Sequence, residues 1–101
     1  MKLNVYAIFD SAACVYDRPI CFRADGEALR FFTAMAVSDE NVVGKSPKDF
    51  SFYKIGEFHD DKGEIVPLDR FCMATAEEVI AQSRQIEAPL KAVEDSYGGT
   101  A

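Results

Sequence analysis

The chain has no tryptophan, one histidine and three cysteines among its 101 residues. Each scarcity removes a class of chemistry. Cys14, Cys21 and Cys72 form no C-x-x-C pair and leave one thiol over after any pairing. Neither a zinc site nor a disulfide framework is expected, and reduced, buried or half-buried thiols are. The lone His59 has no second histidine or cysteine at ligand spacing, so no metal is expected. No G-x-x-x-x-G-K-[ST] or G-x-G-x-x-G loop offers to cradle a phosphate, and no G-x-S-x-G elbow raises a nucleophile. No cofactor is expected either. No apolar run approaches the roughly 20 residues that span a bilayer, so a membrane is not a predicted partner. The opening "MKLNVYAIFD" has one lysine, but Asp10 interrupts its apolar stretch and no small-residue cleavage site follows. It reads as a strand, not a signal peptide. Cations are few as well, 11 against 17 acids, for a formal charge of -6. That balance opposes non-specific nucleic-acid binding over the whole surface but permits a local basic patch.

What the chain does have is apolar bulk. Hydrophobic residues make up 49% and charged ones 28%, with eight phenylalanines and four tyrosines. This is the composition of one globular domain with a single modest core. Leu3 to Phe9 is nearly all apolar and predicts a strand buried on both faces. Asp10 to Asp17 is a polar-small connection, and Pro19 opens an extended piece, "PICFRA". Asp25 is a candidate N-cap, its carboxylate accepting from first-turn amides. Ala28, Phe31, Phe32 and Met35 then recur at helical spacing, with Leu29 and Ala36 widening the stripe, to about Ser38.

"SDENVVGKSPKD" reads as a loop punctuated by Gly44 and Pro47. Phe50 to His59 predicts a strand in which a bulge at Gly56 would put Tyr53, Ile55 and Phe58 on one side. Ile65 to Leu68 returns as its partner, with Pro67 marking an edge. After Arg70 the texture changes, and Thr75 with Glu78 forms a capping box opening a second helix. Pro89 should break or kink that helix, and "DSYGGTA" reads as a frayed tail. The expected fold is α+β: a small, largely antiparallel sheet with one packed helix and a C-terminal helix. Its organisation is a core domain over 1–70 followed by a C-terminal helix and acidic tail over 71–101. Such a sheet has two apolar faces and needs two covers. The first helix supplies one; the C-terminal helix or a second copy of the chain must supply the other, so a homodimer is an expected state.

Two stretches compete for a functional reading. "YKIGEFHDDKGEIV" holds His59 beside Asp60, Asp61 and Glu64. It lacks the alternating oxygen ligands of an EF-hand, and a hairpin tip rarely offers the pocket a general acid or base needs. It reads as a strand, a turn closed by Gly63, and the start of the partner strand. "GKSPKDFSFYK" sets Lys45, Lys48 and Lys54 among Phe50, Phe52 and Tyr53. Cations that hold phosphates beside aromatics that stack bases are what a single-strand binder needs. Lys45, Lys48, Lys54 and Tyr53 are therefore the candidate nucleic-acid contacts, and no residue is a catalytic candidate. Solvated loop lysines beside core aromatics are the alternative reading of the same stretch.

Three stretches taken together resemble a known family. "NVYAIFD", "PICFRADGEALRFF" and "SPKDFSFYKIGEFHDDKGEI" combine, in order, a proline with an A-x-R-F helix, a P-x-D-[FY] entry, I-G-x-F and a D-x-x-G turn. Over residues 2 to 68 the chain is similar to the small nonstructural protein of gokushovirus-type microviruses, phages with circular single-stranded DNA genomes. "PICF" departs from the aromatic pair more typical after the proline, and the acidic tail is long. The resemblance implies a non-enzymatic accessory protein of the infected bacterium's cytoplasm, absent from the virion. It implies a role in viral DNA replication, at the stage that makes single-stranded genomes. It transfers no catalytic residue. Single-stranded DNA is one expected partner; a host or phage replication protein, recruited or inhibited, is the other.

Overall fold

The computed structural model describes residues 1–84; Pro89 and the tail lie outside the described residues. β1 (Lys2–Asp10) is the central strand, buried from Val5 through Ile8. One edge of it pairs with β4 (Phe50–His59). The other edge takes two short strands in turn: β3 (Ile20–Phe22) against its first half and β2 (Val15–Tyr16) against its end. β5 (Glu64–Thr75) pairs with β4, every pairing is antiparallel, and β5 is the outer strand on that side. Pro67 lies in it, where a missing N–H costs a ladder least. The fold is α+β, as expected.

The hairpin between β4 and β5 follows its sequence signals. β4 spans the expected residues, and Gly63 adopts φ 64, the left-handed conformation that closes the loop. Its bulge falls at Ile55, between Lys54 opposite Tyr6 and Gly56 opposite Val5. Tyr53 and Phe58 thereby share a face. Gly56 is required by proximity, since a Cβ there would stand 2.8 Å from the Val66 carbonyl oxygen.

α1 (Asp25–Val37) lays Ala28, Phe32 and Ala36 on the sheet. They meet Tyr6 and Ile8 of β1 and Phe50 and Phe52 of β4, joined by Val43 of a one-turn helix, α2 (Val42–Lys45). A further helix, α3, runs over 76–84 within the described residues. Its capping box is formed: Glu78 N–H donates to the Thr75 hydroxyl at 3.1 Å and Thr75 N–H to the Glu78 carboxylate at 3.0 Å. Ala76 and Val79 join the same core as Phe32 and Phe52, so α3 packs on the face that α1 already covers. It is not the second cover.

Several local expectations change. Ala24, not Asp25, is the N-cap of α1, and Asp25 is its first residue, with its carboxylate turned to the sheet. The stretch read as one loop contains α2, capped by the Asn41 side chain accepting from Val43 and Gly44 amides, and a 3-10 turn at Pro47–Asp49. The connection after Asp10 contains β2. β5 does not stop at Leu68; irregularities at 68–70 and at Met73 let it continue to Thr75. All three cysteines are exposed thiols, not buried ones.

Candidate nucleic-acid interface

Register divides the sheet into two unlike faces. On the helix side stand Lys2, Asp10, Lys54, Glu57, His59 and Glu64, every charged residue of the paired positions. The opposite face carries Leu3, Val5, Ala7 and Phe9 of β1, with Ser51, Tyr53, Gly56 and Phe58 beside them on β4. Cys21, Tyr16 and Cys72 extend it over the flanking strands. No paired position on this face bears a charge.

Three half-buried rings gather at one end of that face. Phe9 and Tyr16 lie 4.6 Å apart between centroids, Tyr16 and Tyr53 5.6 Å, and Phe9 and Tyr53 6.1 Å, the last two edge to face. β2 exists to the extent of two residues, and it places Tyr16 directly across from Phe9. Burial pushes the Tyr53 phenol up, with Cys72 beside it contributing. Arg70, in the irregular segment of β5, reaches over the Tyr16 ring. Its Nη1 donates to the Tyr16 hydroxyl at 2.7 Å, and its guanidinium carbon stands 5.7 Å from that ring's centroid. Arg70 forms no ion pair among the described residues.

Of the four contacts expected from sequence, Tyr53 belongs to this face. Lys54, next to it in the strand, points the other way and pairs with Asp25 at 3.3 Å. Lys45 is exposed at the end of α2, whose Val43 packs into the helix-side core, and Lys48 is exposed in the 3-10 turn. The structure thus unites Tyr53 with Phe9, Tyr16 and Arg70, and not with the lysines. Strand parity could have found Phe9, which lies two residues beyond Tyr53's partner Ala7. Nothing local marks Tyr16 or Arg70.

The Lys54 side chain belongs to a polar lock instead. Asp25 accepts from the Tyr6 hydroxyl, from Lys54 Nζ at 3.3 Å and from Asn4 Nδ2 at 3.4 Å. The bond from Tyr6, and then the Lys54 ammonium, hold Asp25 below the usual carboxylate range. Burial, then the Asp25 carboxylate, push Tyr6 up to about 12. Two limbs of pH dependence follow. Asp25 contributes stability above its unfolded value of about 3.9, lost as pH falls through its lower folded value. Tyr6 contributes below its ordinary value of 10.0, and that part is lost as pH rises from 10.0 towards about 12. The alkaline loss should be about 3 kcal/mol, read as falling urea midpoints above pH 10. Tyr6→Phe should flatten that limb; an unchanged alkaline slope would refute the assignment.

Two acids of the hairpin, Glu57 and Asp60, are held in surface pairs. The N-terminal amine meets Asp60 at 2.8 Å and Lys2 meets Glu57 at 3.3 Å, while His59 Nε2 lies 3.6 Å from Glu57. No group of three His, Cys, Asp or Glu side chains arranged for a metal ion occurs among the described residues. A cleft of about 430 Å³ between α2 and β2 is floored by Ile8, Met35, Val43 and Phe50, with Asp10 and Asp17 as its acids. No helix among the described residues is long and apolar enough to cross a membrane.

Comparison with known proteins extends the resemblance past residue 68. A family described as Phage ORF5 protein matches residues 3–79, which takes in all of the sheet but Lys2, and the start of α3. Protein ORF5 of Chlamydia phage 1 is 34% identical over 73 residues, covering 68% of this chain and 76% of the relative. No solved structure matches. The chain belongs to the Phage ORF5 protein family, the ORF5 proteins of gokushovirus-type microviruses.

Proposed function

We propose that the protein is a non-enzymatic accessory of viral DNA replication that binds single-stranded DNA during production of single-stranded genomes. It would act in the host cytoplasm and outside the virion. One observation supports this reading above the rest: a sheet face without paired charges that carries Phe9, Tyr16 and Tyr53 beside Arg70. Rings on a sheet can each take the face of an unstacked base, and a neighbouring cation can hold the backbone. A chain of formal charge -6 that keeps acids off the paired positions of one sheet face has reduced the repulsion a polyanion would meet there. Of the four contacts read from sequence, Tyr53 stays in the interface. Lys54 is committed to Asp25, and Lys45 and Lys48 lie outside this face.

Fluorescence anisotropy with labelled oligothymidylate of about 20 nucleotides, at about 50 and 200 mM salt, tests the reading. Salt-sensitive binding at micromolar protein is expected. Tyr53→Ala should weaken it about 5- to 150-fold, the range of one lost base stack. Absence of binding at both salts would overturn the proposal. A second reading is favoured by the same lack of charge: the face could cover an apolar protein surface, as a homodimer or against a replication protein. Mass measured in solution on the same sample separates them, because a dimer that excludes the oligonucleotide supports the second.

A further inference from the structure

We infer that Arg70 and the Tyr16 hydroxyl form a phosphodiester-binding subsite at the rim of the aromatic face. The inference rests on the single-strand reading above and adds the residues that take the backbone. Arg70 offers five N–H donors in a rigid fork, and the structure directs one of them to Tyr16. It is exposed, lies on the outer strand, and meets no carboxylate among the described residues. The Tyr16 oxygen accepts from Arg70, so its own proton remains for an outward donation. An anion seated there receives N–H donors and an O–H donor from one side.

The surrounding rings select what the anion is part of. Tyr16 leans edge to face on Tyr53 at 5.6 Å, and Phe9 closes the trio. A phosphate on Arg70 therefore has aromatic surface within one nucleotide's reach on its inner side. A duplex keeps its base faces stacked and cannot use that surface; a single strand can. Charge complementarity supports the same occupant, since Arg70 stands over a face whose paired positions carry no acid.

The competing account is that Arg70 only staples β5 to β2 across the face. Arg70→Gln separates the two, because glutamine keeps a donor for Tyr16 and much of the stem while removing the charge. If Arg70 holds a phosphate, the variant should bind labelled oligothymidylate about 10-fold more weakly at low salt. Its slope of log affinity against log salt should be shallower by about 0.7, one single-strand phosphate. Arg70→Lys should keep the wild-type slope, and Tyr53→Ala should lose affinity with the slope unchanged. A wild-type slope in a folded Arg70→Gln protein would overturn the subsite and leave single-strand binding standing. Failure of the unmodified protein to bind would overturn both. If Arg70→Gln does not fold, Tyr16→Phe, which keeps the ring, must weaken binding at low salt, and unchanged affinity there overturns the subsite.

Discussion

Replacing Phe52 with alanine should cost about 3–5 kcal/mol of folding stability, the range for truncating a fully buried aromatic ring. Phe52 is inaccessible to solvent and sits in the middle of a three-ring stack. Phe32 of α1 lies 4.9 Å away at 10° between planes, and Tyr6 of β1 lies 5.2 Å away at 7°. The ring therefore joins helix to sheet and neighbouring strand to neighbouring strand. Its loss leaves a cavity between elements that cannot all collapse on it, because β1 and β4 are fixed by their ladder. The damage also spreads: Tyr6 holds Asp25 through its hydroxyl, so a Tyr6 ring free to tilt loosens the first turn of α1. A domain of this size has a total stability of about 5–15 kcal/mol, so the variant should lose a large share of it and unfold at a much lower urea concentration. Phe71 is the control. It lies on the outer strand, 63% exposed, and Phe71→Ala should shift stability by about 0.5 kcal/mol or less. Urea titration followed by circular dichroism measures both. Equal midpoints for the two variants would show that the stack is not the centre of the core.

What was legible in the sequence was what neighbours in sequence decide. The left-handed Gly63, the bulge beside Gly56, the Thr75–Glu78 box and the edge position of Pro67 each involve residues a few positions apart. Asp25 shows where that reasoning fails. As an acid before a helical stripe it has the local signature of a cap, yet its partners Tyr6 and Lys54 lie 19 and 29 residues away. Three donors converging from the sheet outcompete first-turn amides that water can also satisfy. The same holds more strongly for the interface, where Tyr16 and Arg70 are separated by 54 residues. Tyr16 reads as part of a polar connection until two residues of β2 set it across from Phe9.

The cysteines depart from expectation for a related reason. A thiol in an apolar neighbourhood is ordinarily buried, and Cys21 and Cys72 do sit among apolar residues. They are exposed because α1 and α3 pack on the same side of the sheet. The need for two covers was visible in strand parity; the side taken by the second helix was not. That side depends on the path of β5. Its irregularities at 68–70 and Met73 keep Ala74 opposite Phe52, on the covered face, just before α3 begins.

Gly44→Ala should be the most disruptive glycine-to-alanine change among the described residues, costing about 3 kcal/mol, the upper part of the range for overpacking. The reason is proximity rather than backbone conformation. A Cβ on Gly44 would collide with the Ser38 carbonyl oxygen and stand 2.6 Å from its carbon and 3.2 Å from the Met35 oxygen. These are backbone atoms at the end of α1, which a rotamer change cannot move aside. Asn41 stitches the same place: its Nδ2 donates to the Met35 carbonyl at 3.1 Å while its Oδ1 accepts from the Val43 and Gly44 amides. To admit the methyl group, α2 must back away from α1, and that motion withdraws Val43, 2% exposed, from the core. It also stretches the Asn41 bonds that satisfy the start of α2. Gly26→Ala provides the opposite test in the same helix system. Among the described residues nothing lies within 4 Å of a Cβ at Gly26, in the first turn of α1, so alanine should stabilise by up to about 1 kcal/mol. Thermal unfolding of the two variants should therefore move in opposite directions from wild type. A Gly44→Ala protein as stable as wild type would mean that α2 does not rest on the end of α1 as the structure places it.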